Sequence, residues 1–397
     1  MDIFNAEFNP QNLFVNMEQQ RQQLEQLANS TLNQGIDHYQ SGRYNEAAAA
    51  FEQAVSMVPA SPHAQNAADY LAMSYLQQGR NDKAVQAYET GIRLDPTSDV
   101  FHVKLAKLHF AEGRYVEART SYEKAVNLNP SASNRFSLGQ TYLQLEAYSL
   151  AEKEFNQVQR LASGEPAGYF GLGQTYNKLE RYEEAVLQFE QAIQKDDTFY
   201  SGYAELDYTY ADMVRMEDAE SMVMALEEKD PDLADTLARY IYKVDPPSIM
   251  FASAANSFLY TLPMRTPLAV LDSYLTNAGA SQTFKMEFQF DKEMQRESVE
   301  NCFNWEIARA SGGVPGNHYN FGLEIADTEI MPPAVPDYVY YDDRNLRAVV
   351  SFTLTQNDTA DGTIDPSHIA FKFKGQDKFG NAMDPDADEF TGFSRVI

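Results

Sequence analysis

The sequence holds a single cysteine, Cys302, in 397 residues. That excludes an intrachain disulfide and a cysteine-rich metal site, and Cys302 is expected to be a small apolar core residue near the only tryptophan, Trp305. Basic residues are also scarce: 31 Lys and Arg stand against 58 Asp and Glu, a formal charge of −27. The acidity is even, with 20 basic and 37 acidic residues over 1–245 and 11 and 21 over 246–397. Such a chain has no broad basic face, so nucleic acid is excluded as a partner class. No run approaches the roughly eighteen apolar residues of a membrane span, which excludes membrane insertion. The opening carries Asp2 and Glu7, has no basic residue before Arg21 and lacks a continuous apolar core, so it is not a secretory signal. The expectation is a cytoplasmic protein, with a leaderless route to the cell surface or exterior left open.

Catalytic constellations are missing too. The six histidines are His38, His63, His102, His109, His318 and His368, and none has metal-ligand spacing beside carboxylates. There is no phosphate-binding glycine loop, nucleophile elbow or His-Glu-x-x-His motif. Two acidic stretches, Asn357-Asp358-Asp361-Asp365 and Asp384-Asp386-Asp388-Glu389, depart from a calcium loop and read as solvated turns. We expect no enzyme, no cofactor and no metal.

What the sequence does contain is a period. GRYNEAAAAFEQAVSMVP (42–59) returns as GRNDKAVQAYETGIRLDP (79–96), GRYVEARTSYEKAVNLNP (113–130), EAYSLAEKEFNQVQRLAS (146–163) and ERYEEAVLQFEQAIQKDD (180–197). It fades in RMEDAESMVMALEEKDP (215–231). Marker alanines Ala47, Ala84, Ala118, Ala151, Ala185 and Ala219 are spaced 37, 34, 33, 34 and 34 apart. Twelve residues earlier lies a small residue (Gly35, Ala72, Ala106, Gly139, Gly173), and four residues later an aromatic (Phe51, Tyr88, Tyr122, Phe155, Phe189). Small residues let two helices approach closely, and the aromatic fills the gap toward the next unit. Pro59, Pro96, Pro130 and Pro231 are placed to close second helices. ASPHAQ (60–65) carries a three-residue insertion. In the sixth unit Asp207 and Val223 replace the small residue and the aromatic, so that unit is expected to pack differently.

These residues resemble the tetratricopeptide repeat, a helix–turn–helix unit, over residues 28–245: about six repeats and a capping helix at LADTLARYIYKV (233–244). The resemblance implies an all-α solenoid whose first helices line a groove for a peptide or protein. By register the groove would present Asn66, Asp69, Met73, Lys107, Phe110, Phe136, Gln140, Gln174, Asn177, Lys178 and Tyr208. Some members clamp a terminal carboxylate; the matching positions here are Leu32, Ile36, Asp69, Met73, Val103 and Lys107, and only Lys107 fits, which argues against that recognition.

After Asp245-Pro246-Pro247 the helical period stops. Residues 246–282 read as a connecting segment, with a short helix starting at Thr266-Pro267 and ending near Gly279. From Phe284 the period is two: Phe284, Met286, Phe288 and Phe290 share one face, as do Ala348, Val350, Phe352 and Leu354, and Ile369, Phe371 and Phe373. DYVYYDD (337–343) is a further strand. This pattern gives an antiparallel β-sandwich over 283–397. The segment 288–307 and the turn DKFGNAMDP (377–385) resemble a bacterial immunoglobulin-like domain of surface-layer and cell-envelope proteins. The stretch 312–336 is long for a connection and could carry a local function.

Residues 1–27 are an arm and the start of a leading helix, capped by Asn16 and running over 17–40. The arm carries Phe4, Phe8 and Phe14, and three readings stand: a cap over the first repeat, a docking arm that enters a neighbouring copy's groove, or an export address. The whole reads as a non-catalytic interaction scaffold with protein or peptide partners. The alternative is a self-assembling subunit of a filament, surface layer or appendage.

Overall fold

A computed structural model describes residues 10–59, 61–255, 257–312 and 317–392. Phe4 and Phe8 lie outside the described residues, and Phe14 lies in the first helix with its side chain outside them. The chain divides into two compact units, one ending at Ala234 and one beginning at Asp235.

The first unit is a row of helical hairpins. The first helices are α1 (Pro10–Gln40), α3 (Pro62–Gln77), α5 (Val100–Ala111), α7 (Ala132–Gln144), α9 (Ala167–Lys178) and α11 (Tyr200–Asp212). Their partners are α2 (Tyr44–Met57), α4 (Asn81–Leu94), α6 (Tyr115–Leu128), α8 (Tyr148–Leu161), α10 (Tyr182–Lys195) and α12 (Met216–Leu226). Helix α1 begins at Pro10, not beyond an Asn16 cap, because proline suits a first helical position where its missing N–H costs nothing. The ASPHAQ insertion becomes the start of α3: Pro62 is its first residue, and the Ser61 hydroxyl accepts from the Ala64 N–H at 3.2 Å. Each first helix ends on a left-handed residue. Gly42, Gly79 and Gly113 supply it in three units, whereas Glu146, Glu180 and Val214 take it with side chains in the other three, the β-branched Val214 being the most strained.

The marker alanines are all fully buried. So are Phe51, Phe155 and Phe189, whose rings press on glycines of the preceding helix. A Cβ on Gly35 would lie 2.5 Å from the Phe51 ring, one on Gly139 2.7 Å from Phe155, and one on Gly173 2.5 Å from Phe189. Where the aromatic is tyrosine, Tyr88 or Tyr122, the small residue is alanine, Ala72 or Ala106. The hydroxyl keeps those rings 4–5 % exposed, while the phenylalanines sink to 0 % and require a bare Cα. Phe155 also meets Gly171 of the next unit, so one ring joins three helices.

Consecutive hairpins are further tied by tyrosines one turn after the small position. Tyr142 donates to Glu123 at 3.0 Å and Tyr176 to Glu152 at 3.1 Å, each a glutamate of the preceding second helix, and Tyr75 pairs with Glu52 in the same way. Arg181 stacks 4.3 Å from the Tyr176 ring centroid and Arg215 4.7 Å from Tyr210. Burial, then the neighbouring glutamate, pushes the Tyr142 phenol up to about 12. His109 takes the tyrosine position in the third unit, where burial and next Arg114 push its imidazole below the ordinary value.

Helix α13 (Pro231–Val244) follows; Pro231 opens it and does not close α12, which already ends at Leu226. The second unit is β-rich. One antiparallel sheet has the order β1 (Ile249–Ser253), β3 (Ser281–Phe290), β6 (Arg347–Thr355), β5 (Tyr338–Asp342). Another runs β4 (Trp305–Arg309), β8 (Ile369–Phe373), β9 (Glu389–Phe390), and a ribbon pairs β2 (Thr266–Pro267) with β7 (Thr363–Ile364). The stretch 246–282 is therefore more than a connection: Ile249 pairs with Phe290 across β1 and β3, and the helix after Pro267 is only Leu268–Leu271. All eleven inward residues read from the period-two runs are buried. The sheets meet through Phe288, which lies 5.1 Å from Trp305 and 5.4 Å from Phe371, and through Phe290 against Phe373 at 5.5 Å. Cys302 is half-buried beside this core.

Within this unit the two motif turns close on the end of α13. Lys292, only 2 % exposed, donates to the Asp245 carbonyl at 2.5 Å and the Tyr242 carbonyl at 3.2 Å. Asn381 donates to the Lys243 carbonyl at 2.7 Å. The buried ammonium thus satisfies carbonyls that a helix end leaves orphaned. The long stretch 312–336 is pinned where it is described: Tyr319 donates to Glu329 at 2.5 Å, and the Ile330 N–H donates to the Thr363 carbonyl at 3.0 Å.

The glycine–ring contact predicts the outcome of Gly139→Ala. Alanine favours a helix by about 1 kcal/mol, but overpacking against Phe155 costs about 1–3 kcal/mol. Denaturant unfolding is expected to show net destabilisation, whereas Gly164→Ala, which meets nothing within 4 Å, is expected to be neutral. Equal effects at the two sites would contradict the contact.

Candidate functional site

The first helices of successive hairpins neighbour one another, α7 beside α9 and α9 beside α11. The residue after each small position then forms a row across them: Met73, Lys107, Gln140, Gln174, Tyr208. Within it Gln140 Nε2 donates to Gln174 Oε1 at 2.8 Å, and Gln174 Nε2 donates to Glu205 Oε1 at 3.0 Å. An ionised carboxylate only accepts, so Glu205 fixes the direction of both amides.

Gln140 and Gln174 of this row line a cavity of 410 Å³ between α7, α9 and α11. Of the expected groove residues, Gln140, Gln174, Asn177 and Lys178 line it together. Sequence reasoning missed Glu205, Asp212, Glu146 and Tyr148, which also line it. Asp212 carried a signal: it lies 34 residues after Lys178, itself 34 after Gln144, so all three share a row. The Asn177 side-chain oxygen is shut off from solvent and has no partner. Burial raises the Asp212 carboxyl above its ordinary range, and Lys178 pulls it partly back. The Tyr208 phenol is raised by burial first, then by Asp207 and Glu205.

The other expected groove residues are not gathered there. Asp69 is paired with Lys104 at 2.5 Å. Asn66 and Lys107 are exposed, and Met73 is half-buried. Phe110 packs edge-on to Tyr115 at 5.2 Å and Phe136 lies 5.6 Å from Phe155, so both rings belong largely to the packing between helices. Tyr208 is half-buried on α11 and does not line the cavity.

One position before Tyr208, Asp207 occupies the small-residue place of the sixth unit. It is 0 % exposed, and neither carboxylate oxygen has a hydrogen-bond partner. Val223 stands where an aromatic ring would be, which leaves room for the carboxyl but nothing to pair with it. Burial alone pushes its pKa up to about 7.

Among the described residues no three His, Cys, Asp or Glu side chains group to hold a metal ion. Asp361 accepts from Asn357 at 2.8 Å within its own turn. Asp365 is buried under the second unit's core, bonded to His368 at 2.7 Å and Ser367 at 2.8 Å. No helix is long and apolar enough to cross a membrane among the described residues.

Stacked helix hairpins with this spacing define a helical repeat array. The tetratricopeptide repeat family model matches residues 32–99, 71–133, 103–166 and 136–201, and the first unit carries tetratricopeptide repeats. Comparison with curated proteins returns no match. Among solved structures, a tetratricopeptide repeat protein from Parabacteroides merdae is similar at 18% identity, over 54% of this chain and 86% of that one, with a TM-score of 0.47. The Pseudomonas aeruginosa pilF structure matches at 17% identity, over 55% of this chain and 99% of that one, with a TM-score of 0.41. The Cut9–Hcn1 structure matches at 20% identity and a TM-score of 0.40, over 54% of this chain and only 42% of that one.

Asp207 gives a pH dependence of fixed sign. Its folded pKa lies above the ordinary 3.8, so the folded state holds the proton more tightly. Stability is lost as pH rises from the unfolded value through the folded one, and the loss levels off above it. Asp207→Ala restores the small residue of the other units. Its stability advantage over the parent protein is expected to grow by about 1 kcal/mol between pH 6 and pH 8, read by denaturant unfolding followed at the helix signal. An advantage independent of pH would contradict the account.

Proposed function

We propose that the protein is a non-catalytic interaction scaffold whose repeat groove binds an extended peptide segment of a partner protein. The observation that carries this reading is the amide row Gln140–Gln174–Glu205 along the cavity wall. Amides offer a donor and an acceptor together, which suits a peptide backbone running across the helices. The tetratricopeptide repeats support the interaction role. The second unit serves as a further interaction module. The ring contacts between its four-stranded and three-stranded antiparallel sheets, and the adjacency of the Asp291–Met294 and Asp377–Asn381 turns through the Met294–Asp377 bridge, support reading it as immunoglobulin-like.

A second reading, a self-assembling structural subunit, draws on β5. It is an edge strand of its sheet with Tyr338 and Tyr340 exposed, and an exposed apolar edge invites pairing with another copy. Light scattering that finds a monomer at every concentration removes this reading.

Selecting peptides from a displayed random library on the full-length protein tests the groove. Gln174→Ala with Asn177→Ala is expected to weaken the selected peptides about tenfold or more through lost hydrogen bonds, without changing thermal unfolding of the second unit. Unchanged affinity would place binding elsewhere.

A further inference from the structure

The chemistry of the α7–α9–α11 cavity goes further than a general groove, and its consequence for selectivity rests on reading that groove as a peptide site. Four charged side chains line it: Glu146, Glu205 and Asp212 against Lys178. Neither Lys178 nor Asp212 joins a salt bridge among the described residues, so the negative excess is not cancelled at short range. Glu205 and Asp212 are seven residues apart on α11, two turns along one face. Glu205 is turned into the cavity by the Gln174 amide, which uses one of its oxygens; a carboxylate has acceptor capacity for further donors. Asp212 is exposed and lines the cavity, so an arriving cation can reach its carboxylate. A volume of 410 Å³ holds a long side chain with its flanking backbone.

We propose that this cavity selects a peptide segment carrying a lysine or arginine, with the cationic head between the Glu205 and Asp212 carboxylates and the flanking backbone on the Gln140 amide. The same charges repel a segment that presents aspartate, glutamate or a terminal carboxylate. The chain's overall acidity does not by itself give this preference, because elsewhere along the first helices the row carries Lys107, and Asp69 is already neutralised by Lys104.

The test uses the full-length protein and a positional-scanning library of heptapeptides, acetylated and amidated so that the ends carry no charge. Lysine or arginine should be enriched at one position. In Glu205→Gln with Asp212→Asn the best peptide should bind about tenfold or more weakly, and the preference should vanish, as charge-assisted hydrogen bonds are removed. Glutamine keeps an acceptor for Gln174, and circular dichroism melts confirm that the repeats stay folded. Peptides bound without a preference for lysine or arginine, or a preference unchanged in the double variant, would overturn the cationic selection and leave the groove reading standing. A library from which nothing binds would overturn both.

Discussion

The contact on which the repeat unit depends is an aromatic ring lying on a bare Cα. Phe51, Phe155 and Phe189 each sit where a Cβ on Gly35, Gly139 or Gly173 would collide. Close packing of this kind leaves little tolerance, so the ring sets both the separation and the rotation of the two helices. That rotation decides which residues of the first helix face the groove. The residue immediately after the glycine falls into the row containing Gln140 and Gln174, and the residue three positions after it faces the neighbouring second helix as Tyr142 or Tyr176. One contact therefore divides each first helix into a face that ties repeats together and a face left open.

The two faces use polar groups differently. On the tying face the tyrosines, glutamates and arginines satisfy one another through Tyr142–Glu123, Tyr176–Glu152 and Arg181 over Tyr176. On the groove face the network is incomplete: the amides of Gln140 and Gln174 run into Glu205, and the Asn177 oxygen and the Asp212 carboxyl are left without comparable partners. Incomplete polar networks are costly in a folded protein unless something else completes them. The sixth unit shows the cost in another form, since Asp207 buries a carboxyl and Val214 adopts a left-handed backbone. The array is strained toward its end, on the helix that also supplies Glu205 and Asp212.

Much of this was legible in the sequence because periodicity reports packing. The marker alanines, the small residues and the rings recur at fixed spacing and are all buried, and the alternation in 284–290, 347–354 and 369–373 gives the inward faces of β3, β6 and β8. What was missed had no period to report it. β1 escaped because its register slips between Ile249 and Phe251, so burial does not alternate along it. Lys292 reads as an ordinary solvated lysine, and only the carbonyls of residues 47 and 50 positions away explain its burial. Phe110 and Phe136 fall at groove register but lean into the helix interface, which a helical projection does not separate from the open face. The amide row was half visible: Gln140, Gln174, Asn177 and Lys178 follow from the period, whereas Glu205 comes from one turn earlier on α11 and breaks the row.

A double-mutant cycle between Gly173 and Phe189 tests the central contact most directly. The repeats themselves pair glycine with phenylalanine and alanine with tyrosine, so Gly173→Ala and Phe189→Tyr are each expected to destabilise the protein alone. Together they should recreate the Ala106–Tyr122 arrangement and recover a coupling energy of about 0.5–3 kcal/mol in the stabilising direction. Strictly additive losses would mean that the ring and the bare Cα do not set the hairpin, and the division of faces built on that contact would fall with it.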